Sequence, residues 1–367
     1  MILPMHHRLA PLAFACALVL FATACRDTPT DPSRPPHYDV VFLGAPDGAE
    51  SFTPRGLFAG RVVGTAHTGT DARAVQWANG SFSPVGPDAP PGCRSEANAA
   101  RVAFTVGQIT CVGPDGTPVD AFGWATGVGA LPRLFTDPYG FVDINRSAAI
   151  VGTVNPPAEF PQAAQRAFLV QGAAVTILLP PGAVSSVATG ISDQGLGVVT
   201  AYFDCTGQDD RCATSRAMIW EAGVWRDIPL LSRARSSVAA AVSTDGHVAG
   251  QTLGQAEGVF HFDGPDDDLE ALPTVPGTTV QVSGANSVGS GQVVGTGFRV
   301  SPAPGQQASY GIVWGDGFLY SISERINDDQ PWIVTSALAT DDEERVAGIG
   351  FNSETGQRGA ILLVPAP

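Results

Sequence analysis

Apolar and polar positions alternate along this chain in short runs, and the runs recur in a fixed order. Residues 141–180 show the unit. FVDIN is an apolar run ending in a polar turn. AIVGT is a β-rich run closed by glycine. After a loop come RAFLVQG and a last apolar run, VTILLP. Period-two alternation in runs this short predicts strands, and the order returns seven times. The third strand carries a bulky slot at Trp77, Trp124, Val170, Trp220, Phe262, Trp314 and Leu362, spaced roughly 47 residues apart. A glycine in the second strand keeps step at Gly64, Gly107, Gly152, Gly250, Gly295 and Gly348, with Thr200 in that place in the fourth repeat.

A period in the forties built of strands predicts an all-β fold, a seven-bladed β-propeller of four-stranded antiparallel blades. Six or eight blades and a β-solenoid are the competing architectures. In RAFLV, Ala167 and Leu169 point to one sheet face and Phe168 and Val170 to the other. Both faces are apolar, as a blade between two neighbours requires. The seventh repeat runs out at the C-terminus after three strand signals. The domain opens with Tyr38–Gly44, whose DVVFLG resembles the fourth-strand segments VTILLP and RDIPLL. That strand is expected to complete the last blade and hide the edges of the ring.

The unit, with its N/D-x-x-G turn and R-A-F-L-W-x-x-G segment, resembles the extracellular HAF-repeat family, named for a His-Ala-Phe triplet. Arg166-Ala167-Phe168 and Arg216-Ala217-Met218 stand where the triplet falls, so histidine is replaced. The resemblance implies a secreted or surface repeat domain and carries no catalytic residues with it.

The N-terminus adds an address. Residues 1–24 are expected to be a signal peptide, with a partly basic start and an apolar run ending Ala22-Thr23-Ala24-Cys25. Ala-x-Ala suits ordinary signal cleavage. Small residues before cysteine resemble a bacterial lipobox, although Ala22 stands where leucine is usual. Cysteine parity favours the lipobox: Cys93, Cys111, Cys205 and Cys212 can pair among themselves, and Cys25 is left over for a lipid. Residues 25–37 then form a Pro-rich, disordered tether, and 38–367 the propeller. The expected location is outside the cytoplasm, as an outer-membrane lipoprotein or at the cell surface or periplasm.

The chain carries a net charge of −15 and contains no lysine. An acidic surface repels phosphate backbones, which excludes nucleic acid as a partner. Without lysine there is no Schiff base, no P-loop and no Ser–Lys nucleophile. No G-x-S-x-G, G-x-G-x-x-G or H-E-x-x-H occurs either. No cofactor is expected. The disulfides Cys93–Cys111 and Cys205–Cys212 are expected in preference to a metal site. The run containing Asp266, Asp267 and Asp268 is a weak calcium candidate and a stronger candidate for a solvated turn. Asp193, Asp245 and Asp341 sit in tight turns, where a structural role suffices. The histidines fall in different repeats or at opposite ends of blades, so no histidine cluster is expected.

The second-to-third strand connections vary in length, and they share one end of the blades with the blade-to-blade connections. His67, Tyr202, Asp204 and Arg299 are candidates for a binding face there. Three functions compete. The first is a non-enzymatic binding or scaffolding module, anchored by lipid and facing a surface protein or glycan. The second is an extracellular polysaccharide hydrolase or lyase with its site at the channel mouth. The third is a purely structural surface protein.

Overall fold

The computed structural model describes residues 36–128, 131–155, 164–204, 214–254, 258–264, 269–285, 291–300, 307–315 and 317–366. These form seven antiparallel sheets arranged as the blades of a propeller, six of four strands and one of three. β1 (Tyr38–Gly44) comes first in the chain. Blade 1 is β2 (Ser51–Phe58), β3 (Arg61–Thr68), β4 (Asp71–Ala78) and β5 (Ser81–Pro84). Blade 2 is β6 (Cys93–Arg101), β7 (Phe104–Val112) and β8 (Pro118–Thr126). Blade 3 is β9 (Tyr139–Ile144), β10 (Ile150–Val154), β11 (Arg166–Gln171) and β12 (Ala174–Leu178). Blade 4 is β13 (Ser185–Ile191), β14 (Gly197–Tyr202), β15 (Ser215–Glu221) and β16 (Val224–Asp227). Blade 5 is β17 (Ala234–Val242), β18 (Val248–Gly254), β19 (Gly258–Phe262) and β20 (Glu270–Leu272). Blade 6 is β21 (Thr278–Ala285), β22 (Val293–Val300), β23 (Gln307–Gly315) and β24 (Phe318–Ser321). Blade 7 is β25 (Trp332–Thr340), β26 (Val346–Asn352) and β27 (Arg358–Pro365), completed by β1.

The predicted closure is therefore present. β1 pairs antiparallel with β27, from Tyr38 opposite Pro365 to Gly44 opposite Ala360. Tyr38 is fully buried, and its phenol oxygen accepts a hydrogen bond from Gln292 Nε2 at 3.2 Å. Burial pushes that phenol well above its ordinary pKa.

Seven apolar clusters lie between successive blades and close the ring. Ala167 and Leu169 pack with Ala188, Val199 and Ala201 of blade 4. Phe168 and Val170 turn the other way, onto Val106 of blade 2. The two-sided pattern read from RAFLV is thus the blade-to-blade contact itself. Polar ties recur beside it. Ser95, Ser186 and Ser237 on first strands each accept the backbone N–H of an alanine on the preceding blade's third strand, at 2.9–3.0 Å.

Register explains the repeated glycine and corrects three alignments of the repeat: in blade 2 Trp124 pairs with Gly107 itself, and Thr126, opposite Thr105, takes the place of the bulky slot. Each first strand bulges opposite the second-strand glycine, as between Ala97 and Ala99 opposite Gly107 and between Val282 and Gly284 opposite Gly295. The carbonyl of the residue just before the glycine's partner, Glu96 at Gly107 and Gln281 at Gly295, leans into the space a side chain would need. In blade 4 the matching residue is Val199, opposite Ala188, and not Thr200. Thr200 faces forward, where its hydroxyl accepts the Ala239 N–H. In blade 7 the bulky slot holds Leu363, paired with Val346, while Leu362 faces blade 1. Sequence spacing cannot see which side of a bulge a residue falls on, and a one-residue slip reverses its face.

A Cβ at Gly152 would run into the Gly140 carbonyl oxygen and the Phe168 ring. Gly152→Ala is expected to cost about 1–3 kcal/mol. Gly197→Ala, whose new methyl would meet Leu178 at an ordinary 3.6 Å, is expected to be neutral. Urea denaturation of both variants checks the contrast.

Candidate functional site

The ring has two ends. Turns between first and second strands, and between third and fourth strands, form the turn end. The longer second-to-third connections and the blade-to-blade connections form the loop end.

At the turn end the short turns are tied to one another. Asn145 Nδ2 donates to the Ser192 carbonyl at 3.0 Å, and Arg146 donates from its backbone and guanidinium to Asp193, both at 2.8 Å. The Asp193 N–H donates in turn to the Thr244 carbonyl, and the Thr244 hydroxyl to Asp342 at 2.6 Å. Asp341 accepts from the Glu343 and Arg345 amides of its own turn, from the Arg345 guanidinium, and from the Gly60 amide of blade 1. The turn carboxylates Asp193 and Asp341 thus join blades. Deeper in, buried Asp143 accepts from the amides of Ile144 and of Ile191 in blade 4. Burial raises its pKa; Arg101 and the two amides pull the other way.

The loop end carries the four residues picked from sequence. His67, the penultimate residue of β3, stands 3.5 Å from the Thr53 hydroxyl. Tyr202 ends β14 and is exposed, with exposed Asp204 two residues on. Arg299, also exposed, lies on β22 opposite Thr278. All four reach one end, but they belong to blades 1, 4 and 6 and do not form one constellation. Between blades 5 and 6 at this end a cleft of about 490 Å³ opens, lined by Gln251, Thr252, Leu253, Thr278, Gln281 and Phe298. Leu253 is 42% exposed, and Val119, Val184 and Ile333 are exposed apolar side chains on the same end. Arg299 borders this cleft through its pairing with Thr278.

Blade 5 overturns the expectation of scattered histidines. His247 follows the β17–β18 turn, and His261 lies on β19. Because Val248 pairs with Phe262, the strand ends bring His247 beside Asp263. His247 Nδ1 is 2.8 Å, and His261 Nδ1 3.1 Å, from the same Asp263 oxygen. The imidazoles stack with centroids 5.4 Å apart and planes 17° from parallel. Glu270 Oε2 is 3.9 Å from His261 Nδ1. Burial holds the His261 imidazole below its usual pKa, with Asp263 opposing. The missed signal was the hairpin register: extending the β18–β19 pairing by one residue places 247 opposite 263.

Cys93 and Cys111, directly opposite each other on β6 and β7, form a disulfide. Cys205, Cys212, Cys25 and the calcium candidates Asp266, Asp267 and Asp268 lie outside the described residues. No helix among the described residues is long and apolar enough to cross a membrane.

No family model and no curated protein matches the sequence. Solved structures match in shape. The β-propeller domain of the Trilobed protease from Pyrococcus furiosus is 11% identical over 85% of this chain and 94% of its own, with a TM-score of 0.46. YCF48 bound to D1 peptide is 14% identical, covering 93% of this chain and 100% of its own, with a TM-score of 0.48. A polysaccharide lyase of family PL25, an ulvan lyase, is 10% identical over 91% and 95%, with a TM-score of 0.42. These likenesses concern the fold alone.

Proposed function

We propose that this protein is a non-enzymatic binding or scaffolding module at the cell surface, held there by a lipid on Cys25 after removal of residues 1–24. Its partner is a surface protein or glycan that docks on the loop end. The observation that supports this most is the cleft between blades 5 and 6, with exposed Leu253 at its wall and Arg299 at its border. An apolar side chain beside a cation suits an acidic or sugar-bearing ligand better than bulk solvent does. Protein is captured from detergent extracts of its native host and the co-purifying material identified by mass spectrometry. A stoichiometric protein or glycan is expected with the wild type and is lost with the Leu253→Asp, Arg299→Glu double variant. The N-terminal peptide of the same sample carries the mass of a lipidated Cys25. Equal recovery with the double variant removes the cleft from the proposal.

The extracellular polysaccharide hydrolase or lyase reading has one observation of its own. Blade 5 gathers two imidazoles and two carboxylates, the groups that acid–base chemistry uses. Fragments released from polysaccharide by the wild type, and not by His247→Ala, would support it.

A further inference from the structure

The histidine pair on blade 5 presents a conflict of lone pairs. His261 is 1% exposed, and its Nε2 has no hydrogen-bond partner among the described residues. A neutral imidazole has one N–H and one bare nitrogen. With the proton on Nδ1, the ring donates to Asp263 and leaves a buried Nε2 lone pair without a donor. With the proton on Nε2, the Nδ1 lone pair faces the carboxylate. Protonating both nitrogens places a cation where water is excluded. His247 adds a second Nδ1 at the same oxygen.

A metal dication fits this arrangement. The donor atoms of His247, His261 and Asp263 lie within 4.8 Å of one another. Zinc bonds to imidazole nitrogen at about 2.0–2.1 Å, which in a tetrahedron sets donors about 3.3 Å apart. The observed 2.8 and 3.1 Å separations reach that spacing by opening a few tenths of an ångström. Two imidazoles and a carboxylate select zinc and its neighbours over calcium, which takes all-oxygen shells. The Asp263 and Glu270 side chains are 43% and 53% exposed, which leaves a path from solvent. Gly291, with φ of +83°, passes directly above. A Cβ there would stand 2.6 Å from His261 Nε2 and 3.1 Å from His247 Nδ1. Only glycine leaves the two rings room.

We propose that His247, His261 and Asp263 bind one transition-metal dication of the zinc class, with Glu270 or water completing the shell. The ion joins the β17–β18 turn to the start of the β19–β20 connection, next to Gly291, which leads into β22 of blade 6. This site is at the turn end and does not depend on the ligand proposed for the loop end.

The test uses the full mature chain, without a polyhistidine tag and dialysed against chelator. ZnCl₂ is titrated by calorimetry, and CoCl₂ by the visible absorption of tetrahedral cobalt. His247→Ala and Asp263→Asn change partly exposed residues, and circular dichroism verifies their fold. His67→Ala is the control. Binding of one ion per chain is expected in the wild type and the control, with CaCl₂ failing to compete. Each blade 5 variant is expected to weaken zinc at least about tenfold. No zinc binding by the wild type overturns the site. Affinity within twofold of wild type in either folded variant also overturns it, because the measured ion then sits elsewhere.

Discussion

Deleting Tyr38–Gly44 is expected to destabilise the propeller by on the order of 5 kcal/mol, lowering Tm by about 10 °C. The segment is the outer strand of blade 7 and joins the two ends of the chain. Its loss exposes the edge of β27 along a register that runs from Pro365 to Ala360. Buried Tyr38 and Leu43 go with it, along with the contacts of Val40 and Phe42 in the cluster between blades 6 and 7 and of Leu43 in the one between blades 7 and 1. Polar ties are also lost. Asn327 donates its backbone N–H to the Tyr38 carbonyl and its side-chain amide to Asp39, and Gln330 accepts the Val40 N–H. Calorimetry of the chain from residue 25 onward, with and without the strand, gives the answer. Two substitutions separate packing from pairing. Tyr38→Ala removes a fully buried aromatic and is expected to cost about 3–5 kcal/mol. Tyr38→Phe removes the hydrogen bond from Gln292 Nε2 and is expected to cost about 1 kcal/mol. A deletion that melts at the wild-type temperature would mean that the ring does not depend on this closure.

Trp314→Ala is the second large effect, at about 3–5 kcal/mol. Trp314 is 1% exposed and lies in the cluster between blades 5 and 6, against Ala241, Val259 and Val282. Its indole N–H donates to the Pro273 carbonyl at 2.7 Å, fixing the connection that leads into blade 6. Alanine leaves both a cavity and an unpaired carbonyl. Trp77 occupies the same slot in blade 1 but is only half-buried. Trp77→Ala is therefore expected to cost about half as much. Urea midpoints for the two variants test this, and equal losses would show that slot position, not burial, governs the contribution.

Much of this architecture was legible because a repeat states its own period. Seven returns of one strand order, together with apolar residues on both faces of RAFLV, require stacked sheets in a closed arrangement. The closing strand could be recognised because DVVFLG is written in the same alternation as VTILLP. The disulfide on blade 2 was legible because Cys93 and Cys111 flank one strand pair. The candidate residues His67, Tyr202, Asp204 and Arg299 share one end of the ring, since antiparallel connectivity alone decides which end a loop occupies. Their distribution over separate blades was not legible, because the repeat says nothing about which blades a ligand would span.

The chain by itself pointed to seven blades, with six and eight left open for the sheets to decide, and to their two-sided apolar character and the joining of its ends. These follow from local alternation and from counting. Tertiary structure alone decided everything that depends on pairing across a bulge. It moved the glycine position from Thr200 to Val199, across the bulge of β13, and the bulky slot from Leu362 to Leu363, which the regular pairing of β26 with β27 sets opposite Val346. It also brought His247 and His261 onto one oxygen of Asp263. In the sequence they belong to a turn and a strand on either side of a connection of variable length. Only the antiparallel register of β18 and β19 folds that length away and leaves the two imidazoles stacked over one carboxylate.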